Sequence, residues 1–153
     1  MAQRYAVIGA GIIGACLALR LAEATWVNSA VIGSVAAGVE AFGARLRQVV
    51  LRGCKLDSVN FRDAVLVDVT FDNCVLRDVD FAGATLTRTA FPSCRLVTTN
   101  FTRVTLDQAD LRGAELGITV DPLSLRGAIV TPAQLADIAP LLADSIGLIV
   151  ADE

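Results

Sequence analysis

The chain has 153 residues, of which 54% are hydrophobic and 19% are charged, and this composition excludes a disordered tail. Thirteen basic and sixteen acidic residues give a net charge of −3, which argues against direct nucleic-acid binding because that function needs a basic face. The absence of histidine removes Ser-His and Cys-His nucleophile pairs and most zinc sites. We therefore expect no enzymatic activity, no catalytic residues and no metal site.

Residues 5–14 read as a short apolar strand that runs into a glycine-rich turn, with a helix after it. Gly9, Gly11 and Gly14 stand at GxGxxG spacing. This stretch resembles the first strand, turn and helix of FAD- or NAD-binding Rossmann oxidoreductases, which implies these glycines as cofactor-binding residues and a FAD-dependent oxidoreductase fragment as an alternative function. The acidic residue that binds the ribose is missing, because residues 27–38 contain no Asp or Glu. We therefore expect no cofactor.

Residues 1–25 are predicted to form a unit of their own, either a Rossmann-like strand-turn-helix fragment or an N-terminal cap. A fusion remnant and an export signal are the other interpretations. The uncharged run from Tyr5 to Leu19 has 15 residues, fewer than the ~20 that span a bilayer. Ala22-Glu23-Ala24 resembles a cleavage site, but only Arg4 and the amino terminus supply positive charge before the run. We expect a cytoplasmic protein without a membrane contact.

The next segment carries a repeat of five residues. From 46 to 116 every fifth residue is Leu or Phe, and two residues before each lies a small or β-branched residue. The Leu and Phe positions are Leu46, Leu51, Leu56, Phe61, Leu66, Phe71, Leu76, Phe81, Leu86, Phe91, Leu96, Phe101, Leu106, Leu111 and Leu116. A period of five fits neither a helix nor a strand, so the chain must turn inward once every five residues.

The clearest copies of the repeat are Val79–Gly83 and Ala109–Gly113. They resemble the pentapeptide-repeat family, whose motif is a small residue, Asp or Asn, Leu or Phe, and two variable residues. The resemblance implies an all-β fold, a right-handed quadrilateral parallel β-helix in which one pentapeptide forms each of the four sides of a coil. We assign residues 26–130 to this β-helix, with glycines in phase near its start and a one-residue phase slip through Gly117–Pro122.

A coil of four pentapeptides predicts which side chains stack at the strand spacing of ~4.8 Å. Charged residues that stack have opposite signs in all four cases found: Arg52/Asp72, Asp57/Arg77, Asp68/Arg88 and Arg95/Glu115. Phenylalanines form inward columns, and Cys54, Cys74 and Cys94 form another. The cysteines fit either a redox or soft-metal ladder or small buried filler, and the Ala and Val at sister positions favour filler.

Residues 131–153 are predicted to be a C-terminal helix and short strand that cap the solenoid. Thr131 fits an N-cap and Pro132 the first helical turn, whereas Pro140 should kink or split the helix. A short strand is expected at Leu148–Val150. The apolar helical face is expected to consist of Leu135, Ile138, Ala139, Leu142 and Ile146.

The outward positions of the repeat carry mixed charges, Ser, Thr and Gly, without a converging reaction site. We therefore predict a non-catalytic scaffold that contacts an unidentified protein partner, with homodimerisation left open. The alternative is a DNA-mimic modulator of DNA gyrase or topoisomerase, because one branch of the family resembles quinolone-resistance proteins. Mimicry of a duplex needs a sustained negative stripe, which charges of alternating sign oppose.

Overall fold

Parallel strands in successive turns make up most of the protein. The computed structural model describes residues 6–8, 12–13 and 25–151, and within these the strands form a β-solenoid of about five turns with one C-terminal helix. The predicted parallel β-helix is confirmed. The remaining residues of the predicted 1–25 unit, including its helix over 15–24, lie outside the described residues.

The strands of the described residues belong to three parallel sheets. The seven-stranded sheet contains β1 (Ala6–Ile8), β3 (Thr25–Ile32), β5 (Arg45–Arg52), β7 (Val65–Val67), β10 (Thr85–Thr87) and β12 (Thr105–Asp107), with β8 (Thr70–Asp72) also paired to β5. The six-stranded sheet contains β2 (Ile12–Ile13), β4 (Val35–Ala37), β6 (Lys55–Asp57), β9 (Val75–Arg77), β11 (Arg95–Asn100) and β14 (Glu115–Thr119). The third sheet pairs β13 (Ala109–Asp110) with β15 (Ala128–Ile129).

The strand register confirms a coil of four pentapeptides. Leu46, Leu66, Leu86 and Leu106 occupy successive paired positions in β5, β7, β10 and β12. The number of residues between paired positions of neighbouring strands changes at both ends of the solenoid. In β1 Ala6 pairs with Ala30, and in β2 Ile12 pairs with Val35, so these partners lie further apart in the sequence than those of the central coils. Near the C-terminus Leu96 pairs with Leu116 but Thr99 with Ile118, so the predicted phase slip after Leu116 is confirmed.

A left-handed backbone conformation at every fifth residue explains the period of five. Each position from 28 to 113 in steps of five has a positive φ, and most of these positions are not glycine. Gly33, Gly38 and Gly43 keep this phase before the repeat becomes regular, as predicted. Asn and Asp tolerate the conformation, whereas Thr98, with φ of 50°, is β-branched and unusual there. The corner therefore belongs to the coil geometry, and burial of the repeat stabilises it.

The core consists of columns that run along the inside of the solenoid. The rings of Phe61 and Phe81 stack with centroids 5.3 Å apart, and those of Phe71 and Phe91 stack at 5.0 Å. The two columns meet edge to face, as Phe71 and Phe81 do at 6.2 Å. Phe81 and Leu76 have no exposed surface, so their predicted inward orientation is confirmed.

The C-terminal helix α1 (Pro132–Ser145) begins as predicted, with Thr131 as its N-cap. It continues through Pro140 as a single helix, so of the two predicted outcomes, a kink or a split, the split is wrong. The ring of Pro140 removes one hydrogen bond, the one to the carbonyl of Ala136, and both residues are exposed, so water can reach that carbonyl.

Two further expectations about the C-terminal segment are wrong. Ile138 and the half-buried Leu141 face the solenoid, whereas Leu135 and Ile146 of the predicted apolar face are half or more exposed. Residues 148–150 form no strand, and the backbone N–H of Leu148 donates instead to the carbonyl of Ala143 at the end of α1. Helical periodicity found the helix and its buried Ile138, but the buried stripe also includes Leu141 and Ala143 and excludes Leu135 and Ile146.

Gln134 connects the helix to the last coil. Its Nε2 donates to the carbonyl oxygens of Leu111 at 2.7 Å and Ala114 at 2.8 Å. Its Oε1 accepts from the backbone N–H of Thr131 at 2.9 Å, and Thr131 Oγ1 accepts from the N–H of Gln134 at 3.1 Å. One side chain thus completes a capping box and satisfies two carbonyls at the end of the solenoid.

Candidate interaction surface

The outward side chains form ordered columns because the coils stack in register. On one side Glu40, Asn60, Asp80 and Asn100 follow one another at parallel bridges. Asn60 Nδ2 donates to Glu40 Oε2 at 2.7 Å, and Asn100 Nδ2 donates to Asp80 Oδ1 at 3.0 Å. Because a carboxylate alternates with an amide, no two acidic residues are neighbours in this column.

Ion pairs join successive coils at three of the four predicted charge stacks. They are Arg52–Asp72 at 2.8 Å, Arg88–Asp68 at 2.6 Å and Arg95–Glu115 at 2.8 Å. Asp57 and Arg77 also stand in register, but their charged groups do not come within 4.0 Å of each other, and Asp57 Oδ1 accepts from Ser58 Oγ at 3.0 Å instead. The outer faces are therefore held in place by contacts between coils.

The ion pairs change the acidity of two carboxyl groups. Hydrogen bonds from Arg88 hold the pKa of Asp68 below its ordinary value, and Asp68 in turn raises the pKa of Arg88. Hydrogen bonds from Arg112 likewise hold the pKa of Asp110 below its ordinary value. Since these pairs are largely exposed, they order the surface and contribute little to the free energy of unfolding.

An exposed phenylalanine and two arginines lie on neighbouring coils near the start of the repeat. We call Phe42, Arg45, Arg62 and Val65 the Phe42 patch; Phe42 is 44% exposed and Val65 is 37% exposed. Arg45 pairs in register with Val65, and the backbone of Gly43, next to Phe42, donates to the carbonyl of Arg62 at 2.9 Å. The patch thus spans two neighbouring coils. Aromatic residues and arginine are enriched in protein interfaces.

The sequence analysis did not single out the Phe42 patch, although the sequence contains a signal for it. Five of the six phenylalanines occupy the inward positions of the repeat, and Phe42 is the one that does not. The structure places it one residue after the buried Ala41 of its pentapeptide, where the side chain points outward. The bulky side chain of Phe42 at this position is therefore left exposed, whereas the small Ala82 at the equivalent position is buried.

A second exposed apolar segment follows α1. Ile146, Leu148, Ile149 and Val150 are between 56% and 89% exposed. The backbone N–H of Leu148 donates to the carbonyl of Ala143 at 2.8 Å, which turns the chain back at the end of the helix. Unlike the Phe42 patch, this segment is not held by neighbouring strands and carries no arginine.

The cysteine column is buried and its thiols are occupied by backbone carbonyls. Cys54, Cys74 and Cys94 are free and at most 3% exposed, and Cys94 Sγ donates to the carbonyl of Phe71 at 2.9 Å. A hydrogen bond with Cys74, together with burial, raises the pKa of Cys54. The bond with Cys54 lowers the pKa of Cys74, but Cys94 and burial outweigh it and bring that pKa to about 11.

At the other end of the column the hydrogen bond from Cys74 lowers the pKa of Cys94 against the effect of burial. Cys94 is nonetheless 3% exposed, which leaves no approach for an oxidant or an electrophile. Among the described residues no group of three or more Cys, Asp or Glu could hold a metal ion. The column therefore acts as small filler beside the Leu and Phe columns.

The glycines of the GxGxxG motif, Gly9, Gly11 and Gly14, lie outside the described residues. The strands that flank the first two of them are β1 and β2, and these pair in parallel with β3 and β4 of the solenoid. In the part of the chain that the structure describes, no helix is long and apolar enough to cross a bilayer.

Comparison with known proteins identifies the repeat. Residues 37–101 match the family described as "Pentapeptide repeat region". No curated protein matches the chain. Nothing in these comparisons supports the resemblance of residues 5–24 to Rossmann oxidoreductases.

Several solved structures are similar to this chain at low sequence identity. The pentapeptide repeat protein Rfr23 from the cyanobacterium Cyanothece 51142 is 14% identical with a TM-score of 0.41, over 70% of this chain and 64% of that one. A pentapeptide repeat protein of the Arabidopsis thaliana thylakoid lumen is 16% identical with a TM-score of 0.40, over 92% and 93%. QnrB1, a plasmid-mediated fluoroquinolone resistance protein, is 14% identical with a TM-score of 0.33, over 83% and 84%. The chain thus spans less than two thirds of Rfr23.

Proposed function

Because residues 37–101 match the pentapeptide repeat family, we propose that this chain is a non-catalytic scaffold that binds another protein through the Phe42 patch. This proposal rests on the exposed Phe42, whose coil also carries Arg45 and is joined to the coil of Arg62 by backbone hydrogen bonds and by the pairing of Arg45 with Val65. Such residues supply much of the binding energy in protein interfaces when they become desolvated. A rigid surface also loses little conformational entropy on binding.

The surroundings of Phe42 favour a protein partner with acidic and apolar groups. Arg45 is exposed, and the side chain of Arg62 is half exposed and lies 3.9 Å from Asp80, too far for a tight ion pair. Both guanidinium groups are therefore available to a partner's carboxylates. The Phe42 ring would enter an apolar pocket between them.

Site-specific photocrosslinking in the native host tests this proposal. A benzophenone amino acid at position 42 should give a discrete protein adduct, whereas the same amino acid at Lys55, which is exposed on another side, should not. The purified partner should then bind the wild type at least 10-fold more tightly than Phe42→Ala, while the melting temperature stays unchanged. An adduct at twice the mass of the chain would identify a homodimer. Equal adducts at 42 and 55, or an adduct only at Ile149, would contradict the proposed surface.

We also propose that residues 1–25 act as an N-terminal cap and not as a cofactor-binding unit. The pairing of β1 with β3 and of β2 with β4 supports this assignment, because it extends the solenoid by parallel strands. Addition of FAD or NAD to the purified protein should leave its melting temperature unchanged, since a ligand that binds only the folded state stabilises it. A concentration-dependent rise with either cofactor would restore the oxidoreductase interpretation.

The cysteine column supports a cytoplasmic location in this proposal. Its three thiols are free, which suits a reducing compartment. The alternating Glu40, Asn60, Asp80 and Asn100 column gives no continuous negative stripe for DNA mimicry. A gyrase supercoiling assay with and without a quinolone should therefore show no effect of the protein, and protection or inhibition at micromolar concentration would favour the mimicry alternative.

A further inference from the structure

An apolar cavity of about 60 Å³ lies near the N-terminal end of the described solenoid, among residues that include Trp26, Ala36, Ala41, Leu56 and Phe61, and its walls at Trp26 and Ala36 are partly exposed. Its position follows from two core columns that lose volume at their N-terminal ends. Leucine occupies one column in the later coils, but Ala36 pairs with Leu56 at its start. In the phenylalanine column Ala41 takes the place that Phe61 holds one coil later. The backbone keeps its path while the side chains become small, so space is left between them.

The chemistry of the lining selects an apolar guest. Besides the indole N–H of Trp26, the polar side-chain atoms of the lining belong to Ser34 and Cys54, and both of these already donate to backbone carbonyls. Ser34 Oγ donates to the carbonyl of Ile32 at 3.4 Å, and Cys54 Sγ donates to the carbonyl of Val31 at 3.4 Å. A water molecule in a cavity needs two to four polar partners, whereas apolar cavities stay dry and take up apolar guests.

We propose that this cavity is a binding site for a small apolar molecule, a function separate from the protein contact proposed above. A cavity of ~150 Å³ lined by Leu, Ile and Phe binds benzene or xenon. The smaller volume here suits a single xenon atom or a one-carbon halocarbon. Trp26, the one tryptophan of the chain, lines the cavity and packs against the core, so it reports occupancy directly.

Xenon and the fluorescence of Trp26 test the proposal on the full chain. With increasing xenon pressure the wild type should lose fluorescence saturably, because the heavy atom quenches the indole from a bound position. Ala36→Leu should fill the cavity, abolish the saturable loss and raise the melting temperature by about 4 °C. Ala37→Leu is the matched control, because Ala37 is the next residue of β4 and its side chain is exposed; it should keep the saturable quenching.

Two outcomes would overturn the proposal. The first is quenching of the wild type that rises only linearly with pressure, as collisions from solvent produce. The second is saturable quenching that persists in a folded Ala36→Leu variant. Ala41→Leu provides an independent filling of the same cavity from the neighbouring column, so the test stands if Ala36→Leu fails to fold.

Discussion

The first coil and the central coils have the same backbone but different interiors. Both turn through a left-handed corner at every fifth position, and both pair in register with the coil that follows. The central coils fill their interior with stacked Phe and Leu, whereas the first coil has Ala36 and Ala41 at the equivalent positions and contains a cavity. The difference shows that the period and the corners determine the path of the chain, while the size of the inward residues determines how tightly it is packed.

A charge in a central column should have the largest effect on the fold. Phe81→Asp should unfold the domain, because it buries a carboxylate without a partner at a position with no exposed surface. We expect loss of the cooperative thermal transition. Gln108→Asp, an exposed corner position at which aspartate tolerates the positive φ, should leave the transition unchanged. A cooperative transition in the Phe81 variant would contradict the inward column.

Truncation of a central ring should reproduce the interior of the first coil in the middle of the solenoid. Phe71→Ala should lower the free energy of unfolding by about 3–5 kcal/mol, through lost burial and the cavity left behind. Phe42→Ala removes the same ring from the surface and should cost well under about 1 kcal/mol. Urea denaturation of both variants measures the difference. Similar losses would mean that Phe71 does not carry the packing of its coil.

The C-terminal end of the solenoid differs from both of these regions, because the side chain of Gln134 forms hydrogen bonds with the last coil. Gln134→Ala removes two donors to the last coil and one acceptor for Thr131, and should cost about 1–3 kcal/mol. Gln134→Glu keeps the capping-box acceptor and loses only the donors. It should be no more stable than the alanine variant at pH 7 if the solenoid carbonyls matter, because its carboxylate then faces two carbonyl oxygens. Wild-type stability in Gln134→Glu would assign the whole effect to the helix cap.

The smallest effect should come from the surface ion pairs. The folded-state pKa of Asp68 lies below its ordinary value of 3.8, so its contribution to stability is present above that value and is lost as the pH falls through the folded pKa. Arg88→Gln should make the melting temperature fall less steeply below about pH 4 than in the wild type. Calorimetry from about pH 2 to about pH 6, a range that brackets carboxyl titration, measures the slopes. A steeper fall in the variant would contradict the assigned sign.

Much of the fold was predictable because the sequence has a Leu or Phe at every fifth position of the repeat. The inward columns, the glycine-phased corners and the slip after Leu116 all follow from a rule that each coil obeys. Thr131, Pro132 and Gln134 also carry a local capping signal. The buried side of α1 was not predictable, because it depends on where the last coil leaves its carbonyls and its apolar edge.

The candidate site was harder to predict from the sequence than the fold, because its residues come together only when the coils stack. Phe42 was visible as a phenylalanine out of phase, but its closeness to Arg62 follows only once successive coils are stacked. The expected strand at Leu148–Val150 failed for a similar reason, since an apolar run forms a strand only when another strand pairs with it. Local sequence preferences do not show whether a partner strand is available.

The strict register of the columns has a consequence for how such a chain can change in length. Removal of a whole coil, such as residues 66–85, would join equivalent positions and shorten the rod by one strand spacing of ~4.8 Å, with each remaining inward residue still in its own column. Removal of a single pentapeptide would rotate everything beyond the cut by one side, placing phenylalanines over leucines and exchanging the outer faces. The solenoid can therefore be lengthened or shortened only by whole coils if its inward columns and outer faces are to be kept.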